Sequence, residues 1–442
     1  MNQSTNQLIS YQPVIGLEVH TQVKTKSKMF CGCPADVFGR EPNSAVCPVC
    51  LGLPGALPVP NRLALEKTVV LAQALGCRIA DFSQFERKNY FYPDLPKGFQ
   101  ISQYAVPVGA KGTLEGISIT RVHLEEDTGK MLHEGGVTLV DFNRSSVPLI
   151  EIVTEPEFSD PKEVTKFLKE LRTLLIHLEI SDADMEKGSL RLEANISLRR
   201  AGEKKLPPYK VELKNINSFA FLEKALTAEI SRQRDILGKG GAVDQETRGY
   251  DEKRRITVSQ RRKEEAFDYR YFPEPDLPPI TKAVLVAGEG VATPKDKRAD
   301  YQAAGVPSQY VEVLIQDRPL SALFEELRSE VSVKDLANIL VNKRFGNPLE
   351  LGKEKILTLY RQKMAKETLS GERLASIAEK ILLDNPAAVA DYVKGKPNAL
   401  QFLLGRLMKE TGGKVNPQEG RELLERLIHA RTSTSSASGG KI

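Results

Sequence analysis

Apolar and polar residues alternate with two different periods along the 442-residue chain. Before about residue 280, several short segments alternate with a period of two, which is typical of half-buried β-strands. They include VIGLEVH at 14–20, SLRLEANISL at 189–198 and KVELKN at 210–215. After about residue 295 the apolar residues recur with the helical period instead. The pattern predicts an α+β fold, in which a domain built on an antiparallel sheet precedes an all-helical domain.

Helix signals divide the chain further. The segment SDPKEVTKFLKELRTLLIHLEI predicts a helix with Asp160 at its N-cap, Pro161 next and Glu163 completing a capping box. A break at KGKPNA precedes a small unit of two amphipathic helices around the glycines at 412–413. We therefore expect a catalytic domain over residues 1–294, a helical domain over 295–394, a small helical tail domain over 395–431 and an unstructured segment over 432–442.

Composition narrows the class of protein. The chain has 63 Lys and Arg against 58 Asp and Glu, a net charge of +5, which permits a nucleic-acid partner without demonstrating one. No stretch approaches the roughly 20 apolar residues that span a bilayer, and the N-terminus lacks the basic and apolar regions of a signal peptide. We therefore expect a cytoplasmic protein without a membrane partner.

Four of the five cysteines fall within one segment of twenty residues, 31–50. They form a Cys-x-Cys pair and a Cys-x-x-Cys pair: Cys31, Cys33, Cys47 and Cys50. Because cytoplasmic thiols stay reduced, two close pairs of thiols favour a tetrahedral structural zinc site over disulfides. Unligated packing cysteines and a redox or nucleophilic thiol remain the alternatives. A closed four-sulfur site would stabilise the fold without being the reaction centre.

The polar faces of the predicted strands carry many carboxylates and a few histidines. Residues two apart on a strand point to the same face. Grouped by strand, they are Glu18 and His20; Arg121, His123 and Glu125, with Glu126 and Asp127 at the strand end; Glu151 and Glu155; Arg191, Glu193 and Asn195; and Glu212 and Lys214. They are either solvated faces of antiparallel sheets or the lining of a shared cavity in which Mg²⁺ neutralises the carboxylates.

Common nucleotide and hydrolase motifs are missing from the sequence. It contains no G-x-x-x-x-G-K-[ST] loop, no H-E-x-x-H and no G-x-S-x-G. Any nucleotide would therefore have to bind at a site of another kind.

Several long motifs, in order, resemble those of the B subunit of the heterotrimeric aspartyl/glutamyl-tRNA amidotransferases. They are VIGLEVH, RKNYFYPDLPKGFQISQY, HLEEDTGK, DFNRSSVPLIEIVTEPE, GSLRLEANISLR, VELKNINSF, DYRYFPEPDLPP and GKPNALQFLLGRLMKETGGKVNP. The resemblance extends from Val14 to about residue 428. The segment from about 295 to 390 is shorter than is usual in this family.

The resemblance implies a transamidation. Members of the family take tRNA(Gln) carrying glutamate, or tRNA(Asn) carrying aspartate. They phosphorylate the side-chain carboxylate with ATP and convert it to the amide with ammonia. The A subunit, an amidase, releases the ammonia from glutamine, and the small C subunit clasps the two larger ones. The implied fold is a cradle-shaped catalytic domain, then a helical domain and a tail domain that touches tRNA. The cognate non-discriminating synthetase is a further implied partner.

The resemblance also implies roles for individual residues. The implied catalytic residues are Glu18, His20, Glu126, Glu151 and Lys88, and the first four of these are the implied magnesium ligands. The implied cofactor-binding residues are Glu125, Glu193, Arg191, Lys97 and Lys214. The four-cysteine zinc site occurs in some members of the family and is missing from others.

Two other functions compete with this interpretation. One is a non-enzymatic, zinc-stapled RNA-binding module, which predicts a scattered acidic face and no use of ATP. The other is a self-sufficient amidotransferase with its own glutaminase. The second is disfavoured because the clustered cysteines are committed to close pairs and the chain has no Gly/Ser-rich amidase signature.

Overall fold

A computed structural model describes residues 10–262, 269–285, 292–367, 371–412 and 414–436. The chain forms two compact units, Met1–Ala303 and Ala304–Ile442. The first unit combines sheets with helices, and the described part of the second is helical. This confirms the predicted α+β fold class with helical domains after the sheet. The finer domain boundaries given above stay predictions.

The first unit contains strands and helices in mixed order. Its strands are β1 (Tyr11–Gln22), β2 (Arg78–Ile79), β3 (Phe82–Ser83), β4 (Glu86–Asn89), β5 (Phe99–Ser102), β6 (Gly109–Leu114), β7 (Ile117–Glu126), β8 (Lys130–Glu134), β9 (Val137–Asp141), β10 (Pro148–Thr154), β11 (Leu190–Arg200), β12 (Val211–Leu213), β13 (Glu246–Asp251), β14 (Ile256–Arg262), β15 (Phe272–Pro273) and β16 (Ile280–Thr281). Its helices are α1 (Arg62–Ala74), α2 (Pro161–His177), α3 (Phe219–Gly238) and α4 (Pro294–Ala303).

A nine-stranded sheet organises this unit. Its strand order is β14-β13-β12-β11-β1-β10-β7-β6-β2. The neighbouring strands pair antiparallel except β12 and β13, which run parallel, so the sheet is mixed where the sequence predicted an antiparallel one. Smaller sheets join β15-β4-β5, β16-β3 and β8-β9. Strand β1, near the N-terminus, lies at the centre of the large sheet and pairs with both β10 and β11.

The large sheet has one apolar face, which packs against helices. Ile15, Leu17 and Val19 of β1 are buried in the same core cluster as apolar residues of α1, α2 and α3. Helix α2 begins as the sequence predicts, because the Asp160 side chain and Glu163 form both hydrogen bonds of a capping box. Burial of each large side chain stabilises the fold by about 1.5–3 kcal/mol. Polar side chains occupy the opposite face of the sheet.

The second unit is described as eight helices. They are α5 (Ser308–Gln316), α6 (Arg318–Leu327), α7 (Val333–Val341), α8 (Pro348–Glu367), α9 (Gly371–Asp384), α10 (Pro386–Val393), α11 (Pro397–Glu410) and α12 (Pro417–Ser436). Helix α8 is interrupted at Gly352, whose φ of 67° lies in the left-handed region that glycine tolerates.

Helices α9, α11 and α12 share one small core. Ala378 and Ile381 of α9 pack with Leu403 and Leu407 of α11 and with Leu424 of α12. Helix α12 continues past the predicted start of an unstructured segment at residue 432, and residues 437–442 lie outside the described part of the chain. Within the described residues, the structure has no helix that combines the length and apolar character of a membrane span.

Candidate functional site

Strand pairing places four side chains in one row across the polar face of the large sheet. His123 of β7 lies opposite Glu151 of β10, which lies opposite His20 of β1, which lies opposite Arg191 of β11. Directly opposed residues in a sheet share a face and approach within contact distance. The register therefore gathers these side chains from strands that are distant in sequence.

Two carboxylates and two histidines meet at this row. The His20 Nε2 atom lies 3.4 Å from Glu125 Oε1 and 3.6 Å from Glu151 Oε2. The His123 Nε2 atom lies 3.1 Å from the same Glu151 oxygen. Ligand atoms of His20, Glu125 and Glu151 all lie within 4.8 Å of one another, close enough to hold one metal ion. We refer to these three residues with His123 as the acidic cluster.

Burial and charge shift the pKa values in the acidic cluster. Burial alone would lower the pKa of His20, but the hydrogen bond to Glu151 and the charges of Glu151, Glu125 and Glu193 raise it to about 9. Burial alone would raise the pKa of Glu151, but His123 and His20 hold it well below its usual range. The cluster therefore favours positive charge, and the protonated form of His20 supplies part of it.

Several buried polar atoms beside the acidic cluster have no hydrogen-bond partner among the described residues. They are Nε of Arg121, Nδ1 of His123 and Oδ1 of Asn195. The Arg121 guanidinium also lies 3.8 Å from Glu151 and stacks over the Tyr104 ring. Because buried polar atoms in proteins almost always have a partner, these atoms fit a site that takes up a polar ligand.

Glu126 lies on the other side of the strand. Its carboxylate pairs with Lys97 and accepts a hydrogen bond of 2.9 Å from the backbone N–H of Ile101. The resemblance implies Glu126 as a magnesium ligand, but the structure places Glu125 in the cluster instead. The reason is the alternation of side chains in an extended strand, which points adjacent residues to opposite faces.

Glu18 and Glu193 lie next to the acidic cluster on the same face. Glu18 accepts a hydrogen bond of 2.9 Å from Asn195. Glu193 pairs at 3.0 Å with Lys214, which also lies 3.4 Å from Glu212. Burial raises the pKa of Glu193 even though Lys214 opposes this shift. Glu18 is not among the residues whose ligand atoms lie within 4.8 Å of one another, so the structure places it at the margin of the cluster.

Arg191 is held by Asp127 at the end of β7. The Arg191 guanidinium forms an ion pair with the buried Asp127 carboxylate, which also accepts from Gln22 at 3.0 Å and lies 3.6 Å from Arg144. Burial would raise the pKa of Asp127, but the charges of Arg191 and Arg144 lower it. This buried pair ties β11 to the end of β7, so Arg191 is positioned by the structure.

Lys88 enters the site from a separate small sheet. Its Nζ atom lies 4.9 Å from the centre of the Tyr269 ring and 5.7 Å from that of Tyr90. Burial would lower its pKa, but the negative charge of Glu125, with smaller contributions from Tyr271 and Glu151 among others, raises it. Lys88 is therefore a charged ammonium near the acidic cluster, surrounded by tyrosines.

The four cysteines of segment 31–50 converge on one point. Their sulfur atoms lie within 4.8 Å of one another, and none of them is in a disulfide. If all four were thiolates they would repel one another at this distance unless a cation lay between them. A hydrogen bond from Cys31 is the main cause that lowers the pKa of Cys50 to about 4, whereas burial is the main cause that raises the pKa of Cys33 to about 11. The donor set fits a tetrahedral zinc ion. The fifth cysteine, Cys77, packs in the main core.

The cysteine segment is hydrogen-bonded to the end of β9 and to the loop between β9 and β10. The Asn43 backbone N–H donates to Asp141 Oδ1 at 2.9 Å, and the Ser145 hydroxyl donates to the carbonyl of Cys50 at 3.1 Å. The segment leads directly to Gly52, where an added Cβ atom would clash with the Lys97 side chain. It therefore supports both the strand that carries Glu151 and the lysine that pairs with Glu126.

The sequence identified most of these residues but not their neighbours in space. Period-two alternation correctly placed Arg121, His123 and Glu125 on one face. The resemblance implied Glu126 as a magnesium ligand, whereas the alternation of side chains groups Glu125 with Arg121 and His123; the role of Glu126 stays a prediction. Nothing in the local sequence indicated that Asp127 would hold Arg191, since the two residues come from different strands.

Comparison with known proteins places the chain in one family. Residues 13–284 match the family model described as GatB/GatE catalytic domain, and residues 320–428 match the GatB domain. The chain is 41% identical to a protein of Carboxydothermus hydrogenoformans, over 94% of this chain and 98% of that protein. It is 41% identical to one of Thermotoga maritima, over 95% and 99%. Both relatives are named as the B subunit of aspartyl/glutamyl-tRNA(Asn/Gln) amidotransferase.

Proposed function

The chain belongs to the family of B subunits of aspartyl/glutamyl-tRNA(Asn/Gln) amidotransferases, and from this membership we propose that its acidic cluster activates a carboxylate for amidation. The substrates are ATP and either Glu-tRNA(Gln) or Asp-tRNA(Asn). The side-chain carboxylate accepts the terminal phosphoryl group of ATP, and ADP leaves. Ammonia then attacks the acyl carbon, inorganic phosphate leaves, and the product is Gln-tRNA(Gln) or Asn-tRNA(Asn).

The observation that carries this proposal is the convergence of His20, Glu125 and Glu151. Carboxylate oxygens are the ligands that Mg²⁺ prefers, so Glu125 and Glu151 would hold it, with His20 beside them. Bound Mg²⁺ neutralises the charge on phosphoryl groups during transfer. In this proposal Glu125 takes the place that the resemblance gave to Glu126, and Glu18 contributes at the margin of the site.

The chain's own cations act on the substrate and on the carboxylates. Arg121 and Lys88 supply positive charge beside the acidic cluster, which suits a transferred phosphoryl group. Arg191 and Lys214 act as positioning residues, because each is engaged with a carboxylate of the sheet. Lys97 holds Glu126 in the same way.

The ammonia comes from the partner subunits in this proposal. The A subunit, an amidase, hydrolyses glutamine, and the small C subunit holds the two larger ones together. Both relatives are named as B subunits, which supports an assembly with further subunits. The complex works in the cytoplasm, where the misacylated tRNA is made, and the non-discriminating synthetase hands over that tRNA.

The four-cysteine cluster binds zinc as a structural ion. Cys31, Cys33, Cys47 and Cys50 supply four soft ligands and leave no open coordination position. The contacts from this segment to Lys97 and to the loop before β10 support a role in holding the site together.

The tail domain binds the body of the tRNA. From residue 396 to residue 431 the chain has seven Lys and Arg against four Asp and Glu, a net charge of +3 with His neutral. Phosphate contacts give affinity without specifying chemistry. Truncation after residue 395 should therefore raise the tRNA concentration required and flatten the salt dependence of binding, with a smaller effect on the maximal rate.

The test is ADP formation by the reconstituted complex. We expect it to require Mg²⁺ and to be stimulated by misacylated Glu-tRNA(Gln) or Asp-tRNA(Asn), but not by the same tRNA without its amino acid. An RNA-binding module would bind the tRNA and form no ADP. Omitting the amidase should abolish the use of glutamine while leaving amidation with free ammonia.

A further inference from the structure

Lys28 is a completely buried lysine beside the four-cysteine cluster. It lies between β1 and Cys31, its relative exposure is 0%, and it is one of the largest fully buried side chains among the described residues. Burying an ammonium carries a large desolvation penalty unless a counter-charge is present. Neither the sequence patterns nor the proposed reaction gives this residue a role.

The partner of the Lys28 ammonium is a sulfur atom. Its Nζ atom donates to Cys50 Sγ at 3.6 Å, and in the described part of the chain no carboxylate lies within 4.0 Å of it. Cys50 is also fully buried, and its sulfur accepts from the backbone N–H of Cys47 at 3.1 Å. Two nitrogen donors therefore point at this one sulfur.

The negative charge of a zinc-loaded four-cysteine cluster would account for a buried lysine beside it. Zinc is bound by thiolates, so four cysteine ligands and one Zn²⁺ carry a net charge of −2. That charge must be offset where the cluster is buried, and the buried edge is the one formed by Cys50. A lysine beneath it offsets one unit without occupying a coordination position.

We propose that Lys28 is the counter-charge of the four-cysteine metal centre, with its ammonium donating to Cys50 Sγ and strengthening metal binding without being a ligand. This inference rests on the proposed zinc site and extends it. A partner outside the coordination shell typically changes metal affinity by about 10- to 100-fold.

The experiment measures zinc affinity of the full-length chain by competition with a chromophoric chelator. We expect Lys28→Met, which keeps the length of the side chain and removes its charge, to weaken zinc binding by about tenfold or more. The matched control is Lys24→Met, four residues earlier, where the ammonium is exposed and pairs with Asp182 at 2.9 Å. Its affinity should equal that of the unmodified chain.

A double variant tests the electrostatic origin of the effect. With Cys50→Ser one thiolate is removed, so the further loss caused by Lys28→Met should be much smaller than in the chain that has all four cysteines. Replacing zinc with Co²⁺ gives an independent signal, because loss of the donor to Cys50 should shift the sulfur-to-metal charge-transfer absorption. That absorption should not move in Lys24→Met.

The outcomes separate the role of Lys28 from the zinc site itself. Unchanged zinc affinity in folded Lys28→Met overturns the role of Lys28 while leaving the zinc site intact. Failure of the unmodified chain to bind zinc overturns the zinc site. If Lys28→Met does not fold, Lys28→Gln tests the charge alone: because it lacks the charge, its zinc affinity should still be weaker than that of the unmodified chain, and unchanged affinity would overturn the role of Lys28 as counter-charge.

Discussion

Two clusters among the described residues can hold a cation, and they differ in their donor atoms, in the elements that carry them and in their balance of charge. The cysteine cluster has four sulfur ligands on turns within one segment, and Lys28 lies beneath it. The acidic cluster has oxygen and nitrogen ligands on three paired strands, and the side chain of His20 keeps 18% of its surface exposed. A closed sulfur site suits a permanent structural ion, whereas an open carboxylate site suits an ion that comes with a substrate.

The largest effect is expected from Glu151→Gln in the acidic cluster. The amide removes the charge that both His20 and His123 contact, and it is a poor ligand for Mg²⁺. We expect ADP formation to fall by about 100-fold or more, the range seen when electrostatic stabilisation of a transition state is removed. The control is Glu155→Gln, just beyond the same strand, where the carboxylate accepts from Thr120. Similar rates in the two variants would rule out the acidic cluster as the reaction site.

The next largest effect is expected from Cys47→Ser in the cysteine cluster. Loss of one thiolate should release zinc and lower the thermal stability of the chain, because structural metal binding contributes folding free energy. Cys77→Ser is the control, since it removes a buried thiol from the core without touching the cluster. Metal analysis should find zinc retained only in the control. Full zinc content in Cys47→Ser would contradict the assignment.

A smaller effect is expected from pH in the magnesium-free chain. The pKa of His20 is about 9 in the folded chain and 6.5 when unperturbed, so folding favours its protonated form. The stabilisation is fully present below pH 6.5 and is lost as the pH rises to about 9, by up to about 3 kcal/mol. Unfolding of the unmodified chain and of His20→Asn at several pH values measures it. A constant difference between the two across this range would argue against the shifted pKa.

The smallest effect is expected from Gly52→Ala, just after the cysteine segment, where the backbone packs against Lys97. Gly52→Ala adds a Cβ that meets Lys97, whereas Gly55→Ala adds one with no atom within 4 Å. Both glycines have positive φ, 66° and 85°, so both variants share a backbone strain of about 1–2 kcal/mol. We expect Gly52→Ala alone to disturb the Lys97–Glu126 pair and to lower the rate of ADP formation by about tenfold. Equal rates in the two variants would show that the segment does not act through Lys97.

Features that depend on local chemistry could be predicted from the amino-acid sequence alone. Alternation placed Glu18 and His20 on one face of a strand, and an apolar stripe with its capping residues defined helix α2. The spacing of the four cysteines similarly predicted their convergence, because two close pairs on turns need only one loop to bring them together. In each case the residues that interact are near one another along the chain.

Contacts between residues that are distant in sequence could be identified only from the tertiary structure. Alternation gives the face of a side chain, but the cross-strand neighbour depends on strand order and register, which arise from long-range pairing. That pairing set Glu151 between His20 and His123, and brought Glu125 within 3.4 Å of His20. The buried lysine under Cys50 has the same origin. Its charge is readable in the sequence, but its burial and its sulfur partner depend on how the segments pack.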